Sequence, residues 1–302
     1  MSLREALATQ DFTITCEVAP PKGVDMKHVL EEAELLRGRV AGINVTDLQA
    51  AAMRVSSVAT CSLLKQMELE PILQMVCRDR NRIALQSDLL SAYVLGIRNV
   101  LCLTGDHTVL GDHPEAKPVF DLDSVSLLRA AQGLIDGKDL SGNELEGKPE
   151  DLFLGAIVTP CADPVEPQIY KLHRKVEAGA RFIQTQAVYD VTRFAASMAR
   201  ACQMGLADRA AILPGVIVPT SAGMLRHMNK NVPGVEVPED LIRRMEQAVD
   251  RKAEGQKIAV ELIGALRAVP GVRGVHLQAI EAEERLPEVI RAAGLHPRPE
   301  VG

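Results

Sequence analysis

A chain of 302 residues, 47% hydrophobic and 25% charged with a mean hydropathy of +0.04, can bury about three quarters of its unfolded surface as an ordinary globular protein. The formal charge of −6, the pI near 5.7 and the lack of any Lys/Arg run exclude a general attraction to nucleic acid. The six cysteines are scattered with no CxxC pair, several inside apolar runs such as Val100-Leu101-Cys102-Leu103, which excludes a disulfide framework or a structural zinc site and suits a reducing compartment.

The opening segment MSLREALATQDFTITCEV has no basic start, apolar core or small-residue cleavage site, and nowhere do about 18 apolar residues run together. A cytoplasmic protein without a membrane span is expected. The first strand is expected at 12–18 and leads into Glu17-Val18-Ala19-Pro20-Pro21-Lys22-Gly23. A helical segment at 27–37 follows, then strands at 41–46 and 71–76, a helix at 80–95 and a strand at 99–103. A helix at 123–135 runs into one long polar insert, 133–150, read as a surface excursion rather than a domain boundary. Strand five at 153–158, a helix at 165–178, strand six at 181–185, a helix at 191–203, and strands at 211–216 and 274–279 complete the series. The strands are short and apolar nearly throughout, as strands covered on both faces are, and the helices carry apolar residues at three and four spacing.

Strict alternation of strand and helix implies a parallel sheet, either an open doubly wound sheet or a closed barrel. A dinucleotide-binding sheet would carry GxGxxG after its first strand, where this chain has Pro20-Pro21-Lys22-Gly23. Eight repeats over residues 1–302 fit a (β/α)₈ TIM barrel as a single α/β domain, with its site at the C-terminal strand ends.

Those ends carry a ring of polar residues. Strand one ends at Glu17, two at Asn44, Thr46 and Asp47, three at Gln74 followed by Arg78, Asp79, Arg80 and Asn81. Strand four ends in Thr104-Gly105-Asp106-His107, five in Thr159, six in Gln184 and Gln186, eight at Gln278. Taken singly, each has an ordinary reading. Glu17 can be an exposed carboxylate at a loop start, Asp106 a turn cap and Gln186 a satisfied core amide. The Arg78–Asn81 segment reads as a helix start with solvated charges. His107, His113 and His173 do not form a ligand spacing, so no metal is expected. Two carboxylates and a glutamine on strands one, four and six of one barrel face are more specific than any of them alone.

At these residues the chain resembles the methylenetetrahydrofolate reductases, and the likeness runs over nearly its whole length. Thr15-Cys16-Glu17-Val18-Ala19-Pro20-Pro21-Lys22-Gly23 is similar to the family's first-strand signature. Val45-Thr46-Asp47, Cys77-Arg78-Asp79-Arg80-Asn81, Leu103-Thr104-Gly105-Asp106, Lys175-Val176-Glu177-Ala178-Gly179-Ala180, Thr185-Gln186 and Leu213-Pro214-Gly215-Val216 follow in the family's order.

The resemblance implies flavin-dependent reduction of 5,10-methylenetetrahydrofolate to 5-methyltetrahydrofolate, with Glu17 as general acid, Asp106 as the carboxylate near flavin and pterin, and Gln186 as a folate contact. Thr46, Gln74, Thr104, Gly105, Asp106, Phe120, Asp121, Ala156, Arg174 and Lys175 fall where the family wraps its flavin, FAD as a rule, with FMN the alternative. Opening the substrate's five-membered ring needs a proton at N10, and the apolar flanks Cys16 and Val18 would keep Glu17 protonated to supply it. Asp106 would be ionised, to hold the pterin, and Arg174 and Lys175 would meet phosphate.

The chain also departs from the family pattern. Ala187-Val188 stand where aromatics are frequent, the loop after strand seven reads Pro219-Thr220-Ser221-Ala222-Gly223-Met224 without a ring, and Gln74 replaces a frequent histidine. Glu281-Ala282 replace an Asn-Arg pair, with Arg285 the nearest cation. The absent rings at Ala187 and Gly223 point away from free NADH or NADPH, and the resemblance to aromatic-poor family members implies a protein electron-donor subunit as the alternative to NAD(P)H, in an oligomer or hetero-complex. Two rivals remain: a barrel methyltransferase that binds folate without flavin, and a flavin electron-transfer subunit without folate chemistry.

Overall fold

Strands that are apolar on both faces need cover on both, and the chain supplies it by closing its sheet on itself and wrapping helices around the outside. The computed structural model describes residues 1–280 and 282–295. Its strands are β1 (Thr13–Val18), β2 (Gly42–Val45), β3 (Pro71–Val76), β4 (Asn99–Leu103), β5 (Phe153–Val158), β6 (Phe182–Ala187), β7 (Ala211–Ile217) and β8 (Gly274–Gln278). All pair in parallel and in sequence order, and β8 closes on β1 through Thr13↔Gly274 to Cys16↔Leu277. The expected (β/α)₈ barrel is observed, with all eight strands where the apolar runs placed them.

Element ends follow local chemistry that periodicity does not carry. Asn81 caps the helix Arg82–Val94 by accepting from the Ile83 and Ala84 amides, so that helix starts two residues later than expected. β6 runs on to Ala187 because its pairing with β7 slips between Gln184 and Ala187, an irregularity that adds residues to one strand only. The helix Ser124–Ile135 takes the first residues of the polar insert, leaving an exposed excursion held by the bridge Lys138↔Glu144 and by Asp139, which accepts from the Ser141 and Asn143 amides. Among the described residues no helix is long and apolar enough to cross a membrane.

A helix absent from the sequence reading, Leu3–Thr9, begins with a capping box in which Ser2 and Glu5 exchange hydrogen bonds. Its Leu3, Ala6 and Leu7 are buried against Ala41, Ile72, Leu101, Phe153, Phe182 and Leu213, and so plug the N-terminal end of the barrel. Phe182 fills the barrel so completely that any side chain at Gly155 would fall within its ring. The lower interior of the barrel is therefore filled by packed apolar side chains.

Candidate active site

Above that apolar floor the barrel interior turns polar. Every second residue of a strand points inward, and on β1 these are Thr13, Thr15 and Glu17. Asn44 on β2 and Gln184 on β6 exchange hydrogen bonds at 2.7 and 3.0 Å, and Gln184 Nε2 also donates to Thr15 Oγ1 at 3.1 Å. Thr15 Oγ1 lies 3.0 Å from His276 Nδ1 on β8. One level higher sits Glu17, half-buried, with both carboxylate oxygens engaged. Gln74 Nε2 donates to Oε2 at 2.7 Å and Gln278 Nε2 to Oε1 at 3.0 Å, while His276 Nε2 stands 3.8 Å from Oε2. Cys16 and Val18 face the helical layer, where both are buried. The surroundings of the Glu17 carboxyl are thus amides and an imidazole, which corrects the expectation of an apolar environment built by its sequence neighbours.

Beside Glu17 opens a cleft of about 550 Å³, within the range of sites that hold cofactor-sized molecules. The ends of β3, β4 and β5 form its floor through Gln74, Thr104, Gly105, Asp106, Ile157 and Thr159. Gln168, Lys171 and Lys175, on one face of the helix Glu166–Glu177, form a wall. Gly105 has φ +90, and a Cβ there would press on Val76 and Arg78, so its main chain can stand at the cleft surface as no other residue's could.

The roof is the turn after β2, where Leu48, Ala50 and Ala51 all have positive φ, a conformation that costs non-glycine residues about 1 kcal/mol or more each. Arg78 pins it. This guanidinium is only 2% exposed and donates to the Leu48 and Asp106 carbonyls and to both oxygens of Asp79. Below it, Asp47 accepts from both Arg80 Nη atoms and from the Val76 amide. The reading of these charges as solvated is therefore corrected: Arg78 is buried, and with Arg80 it ties strand ends together. Asn81 alone keeps the capping role.

Two groups in and beside the cleft lack partners suited to them. Thr46 Oγ1 is buried without a hydrogen bond, and Thr46 points the same way as Asn44, two residues before it. Lys175 has no ion-pair partner among the described residues. Its Nζ donates to the Ile157 carbonyl, and burial, with Lys171 beside it, pulls the ammonium down to about 8. An anionic group with acceptor oxygens would satisfy both, which is what a flavin phosphate and ribityl chain offer; the residues present fit such a cofactor.

Of the residues picked from the sequence, the structure thus brings Glu17, Gln74, Thr104, Gly105, Asp106 and Lys175 to one place, with Thr46 at its edge. Thr104 Oγ1 accepts from the Ser124 amide. Gln186 lies half-buried where β6 slips against β7, outside the cleft lining. Ala156 is wholly buried among core residues and adds no side chain to the cleft. Arg174 is exposed on the helix flank. Asp121 is bound to Arg82 by side chain and main chain, which holds its carboxyl down at about 2, and the Phe120 ring stacks on His107 at 6.1 Å. Glu281 lies outside the described residues, and Ala282 is buried. Sequence reasoning missed Lys171, Gln168 and His276; spacing of three and four on the helix and of two on β8 was the signal that could have found them.

The group of Glu17, Gln74, Asp106 and Lys175 lies at the end of the barrel where (β/α)₈ enzymes work, and the chain is of that class. Comparison narrows the class. Residues 2–294 match the methylenetetrahydrofolate reductase family profile, and the chain belongs to that family. It is 26% identical over 248 residues to methylenetetrahydrofolate reductase 2 of Schizosaccharomyces pombe, covering 79% of this chain but spanning only 38% of that protein's length. To the 5,10-methylenetetrahydrofolate reductase of Pectobacterium carotovorum it is 23% identical over 295 residues, 95% of this chain and 91% of that one. Among solved structures, an uncharacterized protein from Clostridium thermocellum that binds two copies of 5-methyl-5,6,7,8-tetrahydrofolic acid superposes with a TM-score of 0.67 at 14% identity, over 96% of this chain and 97% of that one, a likeness of fold.

Proposed function

We propose that this chain reduces 5,10-methylenetetrahydrofolate to 5-methyltetrahydrofolate with a bound flavin, FAD before FMN, and with Glu17 as general acid. The observation that carries the reading is Gln74, which lines the cleft and donates to Glu17, so that acid and cofactor site share a wall. Family membership and the folate bound by the Clostridium thermocellum protein support it. When bound, reduced flavin would supply the hydride.

The chain's own residues manage the proton and the pterin. Glu17 gives its proton to N10, the C–N10 bond breaks, and the methylene carbon is left as an iminium on N5 ready for hydride. Gln74 and Gln278 can serve Glu17 in both states, because an amide accepts from a carboxylic acid through its oxygen and donates to a carboxylate through its nitrogen. Asp106, exposed at the cleft, holds the aminopyrimidinone edge, and Gln186 makes a second folate contact. Leu103, Ile157 and Val158 line the cleft and limit water there. Acid extraction of the purified protein should release FAD or FMN, and the reduced protein should reoxidise on mixing with methylenetetrahydrofolate; a colourless protein that still binds methyltetrahydrofolate would favour the methyltransferase reading instead.

Lys175 sets the pH dependence of cofactor binding. Its folded value of about 8 lies below the ordinary lysine value of about 10.4, so between the two the unfolded chain holds the extra proton and this group's contribution to stability rises with pH. A phosphate beside it restores the proton. Flavin affinity should therefore fall by up to about tenfold per pH unit above 8, with proton uptake on binding in that range. Calorimetric titration of the apoprotein in buffers of different ionisation enthalpy checks this, and an affinity that stays flat from pH 7 to about 9.5 would contradict it.

The electron donor is a partner protein rather than a free nicotinamide. Ala187 and Val188 are buried, Gly223 has no side chain, and Tyr189, the nearest ring, is buried with its hydroxyl donating to the Ile217 carbonyl. No ring from these positions is free to stack on a nicotinamide. Stopped-flow mixing of the oxidised protein with NADH and with NADPH should leave the flavin oxidised; rapid bleaching by either would sink the idea.

A further inference from the structure

The polar layer under Glu17 is a chain of hydrogen bonds with a direction. Gln184 Oε1 accepts from Asn44, and its two Nε2 hydrogens go to Asn44 Oδ1 and Thr15 Oγ1. Thr15 Oγ1, having accepted there, has its own hydrogen to give, and the atom within reach is His276 Nδ1 at 3.0 Å. An imidazole that accepts at Nδ1 carries its hydrogen on Nε2, the nitrogen that stands 3.8 Å from Glu17 Oε2. All four residues of the chain are buried, His276 at 4% exposure, and they come from the neighbouring strands β8, β1 and β2 and from β6 across the barrel, so the layer is held from opposite walls.

Resting on the reading of Glu17 as the acid, we propose that His276 is a positioning residue for it, fixed as the Nε2–H tautomer by the chain Asn44–Gln184–Thr15. Its N–H faces Glu17 Oε2 from 3.8 Å, longer than a hydrogen bond, beside the two amides of Gln74 and Gln278 that do donate to the carboxylate. Once the proton has gone to N10, the carboxylate meets this N–H from below, and it is held in one orientation through the hydride step. The groups above the layer are the amides of Gln74 and Gln278 and the Glu17 carboxylate; among the described residues the hydrogen bonds of the layer include no other carboxylate and no ammonium.

Three holoenzyme variants test the assignment: His276→Ala, His276→Gln, which offers an amide N–H in place of the imidazole one, and Thr15→Val, which keeps shape but removes the hydroxyl. Single-turnover reoxidation of the dithionite-reduced protein by methylenetetrahydrofolate should slow by about tenfold in the alanine variant, the low end of the effect of losing an orienting partner, and by less in Thr15→Val. His276→Gln should regain most of the rate. Folate dissociation constants should stay within about twofold throughout, because the layer acts on the step after binding. Independently of activity, ¹⁵N-histidine spectra should contain one Nε2–H tautomer signal that disappears in His276→Gln and becomes a tautomer average in Thr15→Val. An Nδ1–H signal at that position, unchanged single-turnover rates in both His276→Ala and Thr15→Val, or losses traced to folate binding alone would each overturn the assignment. A Glu17→Gln control separates the two readings. If it keeps full folate reduction, the role of Glu17 falls and this inference with it; if it loses reduction while His276→Ala and Thr15→Val keep it, only this inference falls.

Discussion

Replacing Glu17 by Gln should slow folate reduction by at least about a hundredfold, the usual worth of a general acid, while flavin reduction by the donor proceeds as before. The substitution is nearly isosteric, and the neighbours Gln74 and Gln278 can turn their amides to meet the new one, so the site should stay assembled. What is lost is the transferable proton. Measuring the two half-reactions separately makes the result decisive, since a variant that merely distorted the mouth would slow both. A folate half-reaction unchanged by this substitution would show that N10 is protonated from elsewhere.

The second large effect concerns stability and lies at the opposite end of the barrel. Phe182→Ala should cost about 3–5 kcal/mol, because a fully buried ring is removed and the cavity it leaves cannot collapse. Phe182 is stacked on Phe153 at 5.2 Å and occupies the space over Gly155, so its neighbours are strands whose spacing is fixed by barrel closure. Denaturant unfolding monitored by circular dichroism checks it, and a loss under 1 kcal/mol would mean that the floor repacks around the hole.

The eight strands were legible because each is a short apolar run between helical segments, and the barrel followed from their number and from the wrong loop after strand one. The same apolar reading hid the polar interior. Thr15 and His276 sit in runs that look buried on both faces, and only a count by twos from Glu17 and Gln278 shows that they point inward together. On the helix Glu166–Glu177 the sequence drew attention to the adjacent pair Arg174 and Lys175, yet adjacent helical residues diverge by about 100 degrees. Lys175 therefore shares the cleft with Lys171 and Gln168, and Arg174 faces solvent. Arg78 was illegible for a different reason: a charged side chain is expected in water unless partners are known, and its partners, the Leu48 and Asp106 carbonyls, come from turns whose shape the sequence does not reveal.

The plug at the N-terminal end has a consequence for how the chain comes to be folded. The helix Leu3–Thr9 precedes every strand of the barrel along the chain, yet its apolar face is covered by residues drawn from strands as late as β7, with Leu213 among them. Until β7 has been made, Leu3 and Leu7 have no complete surface to rest on, a long-range closure that is slow to form and leaves an apolar patch exposed in the meantime.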